Sequence, residues 1–414
     1  MSRFLFVVPP LVGHVNPAVG VAAELAARGH ATAWAGLPEV IHPLAGLGAE
    51  VFPCAVAPGT APGGTLRERP PQTRGPAALK FLWEDFIVPL AEAMAPGVAA
   101  AVERFGPDVL VVDQQAVAGA LLAERLGLPW ATSATTSAEF TGPLDGMPLV
   151  DAWVRGLIAD LRGRIGTPGG TADPRFSPHL ILAFTTPELT GPIAPTAGPI
   201  RFVGPSIAPR PTPAPFPWEW LAPGRATVLV TLGTANADAG AAFLAQCQEA
   251  LRARSERLQA VIVDPAGAPG VPAGDPDVLV LPSVPQLRLL ARTAAVVCHA
   301  GHNTVCEALW HGVPLVVAPI RDDQPVVAGQ VAAAGAGRRV RFGRADAARL
   351  GRAVDAVLDD PAHRSAARRI GASFRAAGGA AAAADHLERL TGRAPQPAGR
   401  PGGDEPTESE RERR

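Results

Sequence analysis

The chain has 414 residues, of which 47% are apolar and only 18% charged, with a formal net charge of −1. That length suits two or three domains with a substantial core, and the balanced charge excludes the basic stripe with which nucleic-acid binders displace counterions. Tyrosine is absent and Lys80 is the single lysine, beside 44 glycines and 45 prolines, a GC-rich bias that removes tyrosine from acid, base or oxyanion roles.

Residues 4–8 form a short apolar run, as expected of a strand buried on both faces. A loop over 9–16 leads to a helix over 17–28, closed by Gly29, and 30–34 reads as the next strand. This opening is the βαβ unit of a parallel sheet. A strand follows at 51–54, then an exposed loop over 58–76, rich in Pro, Gly, Arg and Thr. A helix over 83–104 contains Pro89 and Pro96. Residues 109–112 and 128–131 are strands, with a helix over 116–126 between them. An amphipathic helix spans 150–164, and 180–185 and 201–203 are short strands. The proline-dense stretch 205–223 is extended and stiff and cannot join a sheet, so it marks the domain boundary.

Beyond it the alternation restarts. Strands are expected at 227–231, 260–263, 278–281, 295–298 and 315–318. Helices are expected at 239–254, 303–311, 326–334, 345–358 and 362–390, the last interrupted at Gly378-Gly379. Residues 394–414 lack apolar anchors and read as disordered. Four cysteines, Cys54, Cys247, Cys298 and Cys306, form no CxxC pair and read as small buried apolar residues. The short apolar N-terminal run ends at Pro9-Pro10, too early for a signal-peptide core, and no run of about 20 uninterrupted apolar residues is present. The expectation is a soluble cytoplasmic protein with no transmembrane segment.

The richest chemistry lies at Cys298-His299-Ala300-Gly301-His302-Asn303-Thr304, with Glu307 one turn on. A strand delivers the chain to His299, Gly301 lets backbone approach a ligand, and Asn303-Thr304 open a helix whose N-terminus suits a phosphate. Glu307 can accept from two ribose hydroxyls. Taken singly, each residue reads as a helix cap or buried histidine; stacked at fixed offsets after a strand, they read as a site. In the first half, Gly13-His14-Val15-Asn16-Pro17 follows the first strand, and Asp113 ends another. A histidine titrating near neutrality can take a proton from a hydroxyl, although Asp113 alone also reads as a helix cap.

These motifs resemble those of the GT-B glycosyltransferases of family 1, inverting and metal-independent enzymes that use nucleotide-sugar donors. The resemblance spans roughly residues 3–385 and is densest in the second half. It implies an α/β fold of two Rossmann-like, doubly wound parallel-sheet domains facing a cleft. The N-terminal acceptor-binding domain would cover 1–205, the linker 206–224 and the nucleotide-sugar-binding domain 225–375. A helix over 376–393 would pack back on the first domain.

By the same resemblance His14 is the general base and Asp113 orients it. His299, Gly301, His302, Asn303 and Thr304 hold the diphosphate, Glu307 the ribose, and Asp323 and Gln324 the sugar. The turn Thr231-Leu232-Gly233-Thr234 faces the phosphates, and Ser283, Val284 and Gln286 lie along the base and ribose. Ser283 stands where the family usually has a stacking tryptophan. Phe81, Trp83, Phe86, Phe140 and Met147 are candidate acceptor contacts. The implied partners are a nucleotide sugar, UDP-linked in preference to dTDP-linked, and an apolar small molecule such as a bacterial natural product. No cofactor and no metal are expected, and the protein would be a monomer or homodimer. Alternatives are a lipid or carotenoid glycosyltransferase, a sugar-nucleotide epimerase of the same fold, and a non-catalytic nucleotide-binding helper.

Overall fold

The computed structural model describes residues 1–56, 75–142, 144, 146–193, 196, 198–208, 215–233, 240–265 and 275–392. Thr234, the 394–414 tail, nearly all of the 58–76 loop and the centre of the proline-rich stretch lie outside these residues.

Thirteen described strands form two wholly parallel sheets. The first is built from β1 (Arg3–Val7), β2 (Ala31–Gly36), β3 (Val51–Pro53), β4 (Val109–Asp113), β5 (Trp130–Ala134), β6 (Ile181–Ala183) and β7 (Ile200–Phe202). Its order is β3-β2-β1-β4-β5-β6-β7. The second contains β8 (Ala226–Thr231), β9 (Leu258–Val263), β10 (Val278–Leu281), β11 (Ala295–Cys298), β12 (Leu315–Val317) and β13 (Gly337–Arg339), in the order β10-β9-β8-β11-β12-β13. Both orders are doubly wound. Strand order reverses between β1 and β4 in one sheet and between β8 and β11 in the other, and crevices for ligands open at such switch points beyond the strand carboxyl ends. Central strands are apolar on both faces because helices cover both: Leu5 and Val7 pack with Leu110 and Val112 on one side, Phe4 and Phe6 with Val109 and Val111 on the other.

Three elements differ from the sequence reading in ways that matter for the site. The first helix runs Val12–Ala27, so His14 lies in its first turn and not in a loop, and Pro17 lies inside it. β5 runs on to Ala134, three residues further than its apolar run suggests. Its buried Thr132 is satisfied from the side, donating to the Arg175 carbonyl and accepting from the Ser177 amide. Third, the helix expected at 83–104 is one continuous helix over residues 76–105, widened to π geometry at Phe81–Ile87, just ahead of Pro89. In an α-helix the Pro89 ring would collide with the carbonyl of Asp85, and a wide turn relieves that collision. By length and composition alone this helix is long and apolar enough to cross a membrane. Here Leu90, Met94, Val98 and Phe105 bury one face in the first core.

The chain crosses back at its end. Helix Gly379–Leu390 follows the second domain but buries Ala383, Ala384 and Leu387 in the first, against helix Val12–Ala27. Gly20 on that first helix faces the segment after β7: a Cβ there would lie 2.3 Å from Ser206 Oγ, whereas Ala380 of the crossing helix would be an ordinary 3.5 Å away. The four cysteines are buried and unpaired, and burial pushes the Cys54 and Cys298 thiols up to about 12.

Candidate active site

In the first sheet, His14 follows β1 and Asp113 ends β4, so the switch point brings them together. His14 Nδ1 lies 2.9 and 3.0 Å from the two Asp113 carboxylate oxygens. Thr135, just past β5, completes a triangle. Its hydroxyl donates to Asp113 Oδ2 at 2.9 Å and lies 2.9 Å from His14 Nδ1. Asp113 also accepts from the Gln115 amide. Burial pushes the His14 pKa down, but attraction to Asp113 and their hydrogen bond, with smaller pulls from Asp323 and Glu139, leave it above the usual 6.5. With Nδ1 held by the carboxylate, Nε2 is the nitrogen presented to a substrate.

The second switch point supplies the facing wall. Thr231 ends β8 in register with Cys298 of β11, so the turn through Gly233 meets the segment from His299 to Thr304. His299 sits between two glycines. A Cβ on Gly233 would come within 2.8 Å of its ring and one on Gly301 within 2.3 Å. Burial lowers the His299 pKa to about 4, so the ring is neutral, and its Nδ1 has no partner among the described residues. Ala300, between His299 and Gly301, has φ +67° and Asp322 has φ +56°. They are the only non-glycine residues with positive φ among those described, and strain of this kind gathers at functional sites. Gln286 Nε2 donates to Glu307 Oε2 at 2.5 Å, which joins the two residues expected at the ribose. Val284 is half-buried and Ser283 exposed beside them.

Several expected site residues have other duties. His302 is buried and turns toward the first domain, with Nε2 3.4 Å from the Phe184 carbonyl and Nδ1 3.4 Å from Ser137 Oγ. Asn303 Nδ2 donates to the Gly13 carbonyl at 2.6 Å. Asp323 Oδ2 accepts from Thr136 Oγ1 at 2.6 Å. Burial raises the Asp323 pKa to about 6 against the lowering effect of the Thr136 hydrogen bond. Gln324 uses its carbonyl oxygen to cap the amides of Ile320 and Arg321. Trp83 and Phe86 are core residues, Phe81 is at the edge of burial, Phe140 packs on Phe202 behind the sheet, and Met147 is exposed. The half-buried Leu79, Leu82, Leu144 and Trp153 line that core's margin instead.

Sequence reasoning missed the triplet Thr135-Thr136-Ser137. Each hydroxyl has its own partner: the His14–Asp113 pair, Asp323, and Gln330 Oε1 at 2.6 Å. The available signal was position, three consecutive hydroxyl residues just past the carboxyl end of a central strand. Gln114 was missed as well. It is 1% exposed, and neither atom of its amide has a partner among the described residues.

Comparison with known proteins identifies the family and the fold. Residues 258–390 match the family model described as erythromycin biosynthesis protein CIII-like, C-terminal domain. The chain is 33% identical to 4'-demethylrebeccamycin synthase of Lentzea aerocolonigenes, over 94% of this chain and 99% of that one. It is 31% identical to demethyllactenocin mycarosyltransferase of Streptomyces fradiae, over 94% and 87%. Among solved structures, the glycosyltransferase of kitacinnamycin superposes with a TM-score of 0.77 at 27% identity, covering 94% of this chain and 98% of that one. A doubly wound domain pair, a histidine–carboxylate pair facing a strained helix N-terminus, and full-length relatives of one kind converge: the chain belongs to the bacterial natural-product glycosyltransferases of family 1, enzymes of the GT-B fold.

Proposed function

We propose that this glycosyltransferase moves a hexose from a nucleotide diphosphate sugar to a hydroxyl of an apolar natural product, with inversion and without metal or cofactor. The observation that carries the reading is the His14–Asp113–Thr135 triangle opposite the N-terminus of helix His302–Trp310. His14 Nε2 takes the acceptor proton while Asp113 holds Nδ1–H and stabilises the imidazolium. The oxygen attacks the anomeric carbon from the face opposite the diphosphate. Charge developing on the leaving group meets the helix N-terminus, neutral His299 and Thr304.

The hydrogen bond that joins Gln286 to Glu307 supports a reading in which the pair takes two ribose hydroxyls, which favours a UDP-sugar. A dTDP-sugar is the second reading. It is favoured because Asp323 and Gln324 are already hydrogen-bonded within the protein, leaving less capacity for sugar hydroxyls. The half-buried apolar residues at the margin of the first core suit an apolar acceptor.

The test is a donor and acceptor screen read by mass spectrometry, with the product anomer assigned by NMR and with chelator added. His14→Ala should lose roughly 10²- to 10⁴-fold in transfer while nucleotide affinity stays nearly unchanged. Full activity in that variant, or an absolute need for Mg²⁺, would sink this mechanism.

A further inference from the structure

Helix Val12–Ala27 carries a built-in gap. Pro17 has no N–H, so the Gly13 carbonyl, four residues earlier, lacks its usual helical donor. A side chain from the other domain fills the gap: Asn303 Nδ2 donates to that carbonyl at 2.6 Å. Gly13 is the immediate neighbour of His14. On the other side of the triangle, Thr136 is the immediate neighbour of Thr135 and is tied to Asp323 at 2.6 Å. Two of the three segments that shape the His14 site, those of His14 and Thr135, are therefore gripped one residue away from across the cleft.

We propose that Asn303 and Asp323 act as a latch, positioning His14 and Thr135 only when the two domains are closed, and that Pro17 keeps the Gly13 carbonyl free for it. The inference rests on His14 being the base. An Asn amide has two N–H donors. One is committed to Gly13, and under the proposed function the second serves a diphosphate oxygen, so that donor binding and base positioning would share one side chain. A domain pair that closes without donor would leave His14 beside an empty site; a shared amide ties its final placement to donor arrival. The element that responds is the first helical turn, which has two available partners for Gly13 only if residue 17 carries an N–H.

Pro17→Ala supplies that N–H. The carbonyl can then bond within the helix, in competition with Asn303. Losing an interior proline also favours the helix, so a fall in melting temperature is not expected. The expected result is a kcat about ten-fold lower or more, KM for both substrates within about three-fold, an unlowered melting temperature, and an acid limb of the pH–rate profile displaced toward lower pH as the His14–Asp113 contact loosens. Thr136→Val should displace the limb the same way. A Pro17→Ala enzyme with wild-type kcat and pH profile overturns the latch, as does a loss of kcat that tracks a lowered melting temperature. His14→Ala is measured in parallel. If it retains transfer, the base assignment itself has failed; if it is inactive while Pro17→Ala matches wild type, only the latch has failed.

Discussion

His14 lies in opposing fields, and their balance predicts a pH profile. Burial favours the neutral ring, whereas Asp113 favours the charged one and, with Asp323 and Glu139, prevails, so the pKa lies above 6.5. A base must be neutral to accept a proton, so kcat/KM should rise with pH through a value above 6.5 in the free enzyme. Asp113→Asn removes the main raising influence and leaves the burial. Its acid limb should move to lower pH while the rate at neutrality falls roughly 10²-fold or more, because the forming imidazolium loses its counter-charge. An acid limb that does not move would exclude His14 as the titrating group. His299 offers a cleaner steric test. Gly301 has φ −62°, an ordinary value, so its backbone accepts alanine. The obstacle is the His299 ring, 2.3 Å from a new Cβ. Gly301→Ala should displace that ring and weaken nucleotide binding about ten-fold, or about 1.4 kcal/mol, as read by calorimetry. Unchanged affinity would remove His299 from the phosphate site. The motif residues were legible because they are unusual neighbours at fixed spacing. Thr135, Thr136 and Ser137 were not, since threonine and serine are common in any loop and their partners lie 22, 187 and 193 residues away.

At the scale of elements, the apolar runs marked the central strands well, and the errors have local causes. β5 looks shorter than it is because polar Thr132 and Ser133 interrupt its run, and long-range partners such as Arg175 and Ser177 make Thr132 tolerable. β13 is Gly-Arg-Arg, an edge strand held by pairing to β12 with no apolar signal of its own. Proline misleads in both directions. At Pro17 it looks like a helix start, because a first-turn position is its usual place; here a donor from another domain makes an interior position acceptable. At Pro89 it looks like an interruption, whereas the helix continues by widening through Phe81–Ile87. That wide turn sets the direction of Phe81, Trp83 and Phe86 toward the first core and its half-buried margin. Pro89→Ala should let it tighten to α geometry and raise the melting temperature by several degrees. It should also raise acceptor KM about five-fold or more with donor KM unchanged. Equal acceptor KM in the two enzymes would show that the wide turn has no part in acceptor binding.

At the scale of the whole molecule, the proline-rich stretch showed that there are two halves, but not how firmly they are joined. The Gly378-Gly379 break gives the reason. It frees the last helix from the second domain, and Gly379 N–H donates to the Val203 carbonyl at the end of the first. No local pattern in Gly379–Leu390 says which core its alanines enter; Ala383, Ala384 and Leu387 join the first core only once the helices cross. Glu388 fastens the crossing. It is 3% exposed and accepts from Arg28 Nη1 at 3.0 Å and from His30 Nε2 at 2.9 Å. Breaking a fully buried ion pair costs about 3–5 kcal/mol. Arg28 is partly exposed and keeps Asp385 and Glu24 as partners, so Glu388→Ala should cost less, about 1–2 kcal/mol. Because the helix belongs to one domain by chain order and to the other by packing, the loss should also reduce cooperativity. Calorimetry should show one unfolding transition in the parent enzyme and a broadened or split one in Glu388→Ala. Glu388→Gln should lie between them, since its amide oxygen still accepts one of the two bonds. A Glu388→Ala enzyme that melts in a single transition at the parent temperature would mean that apolar packing of Ala383, Ala384 and Leu387 alone holds the halves together.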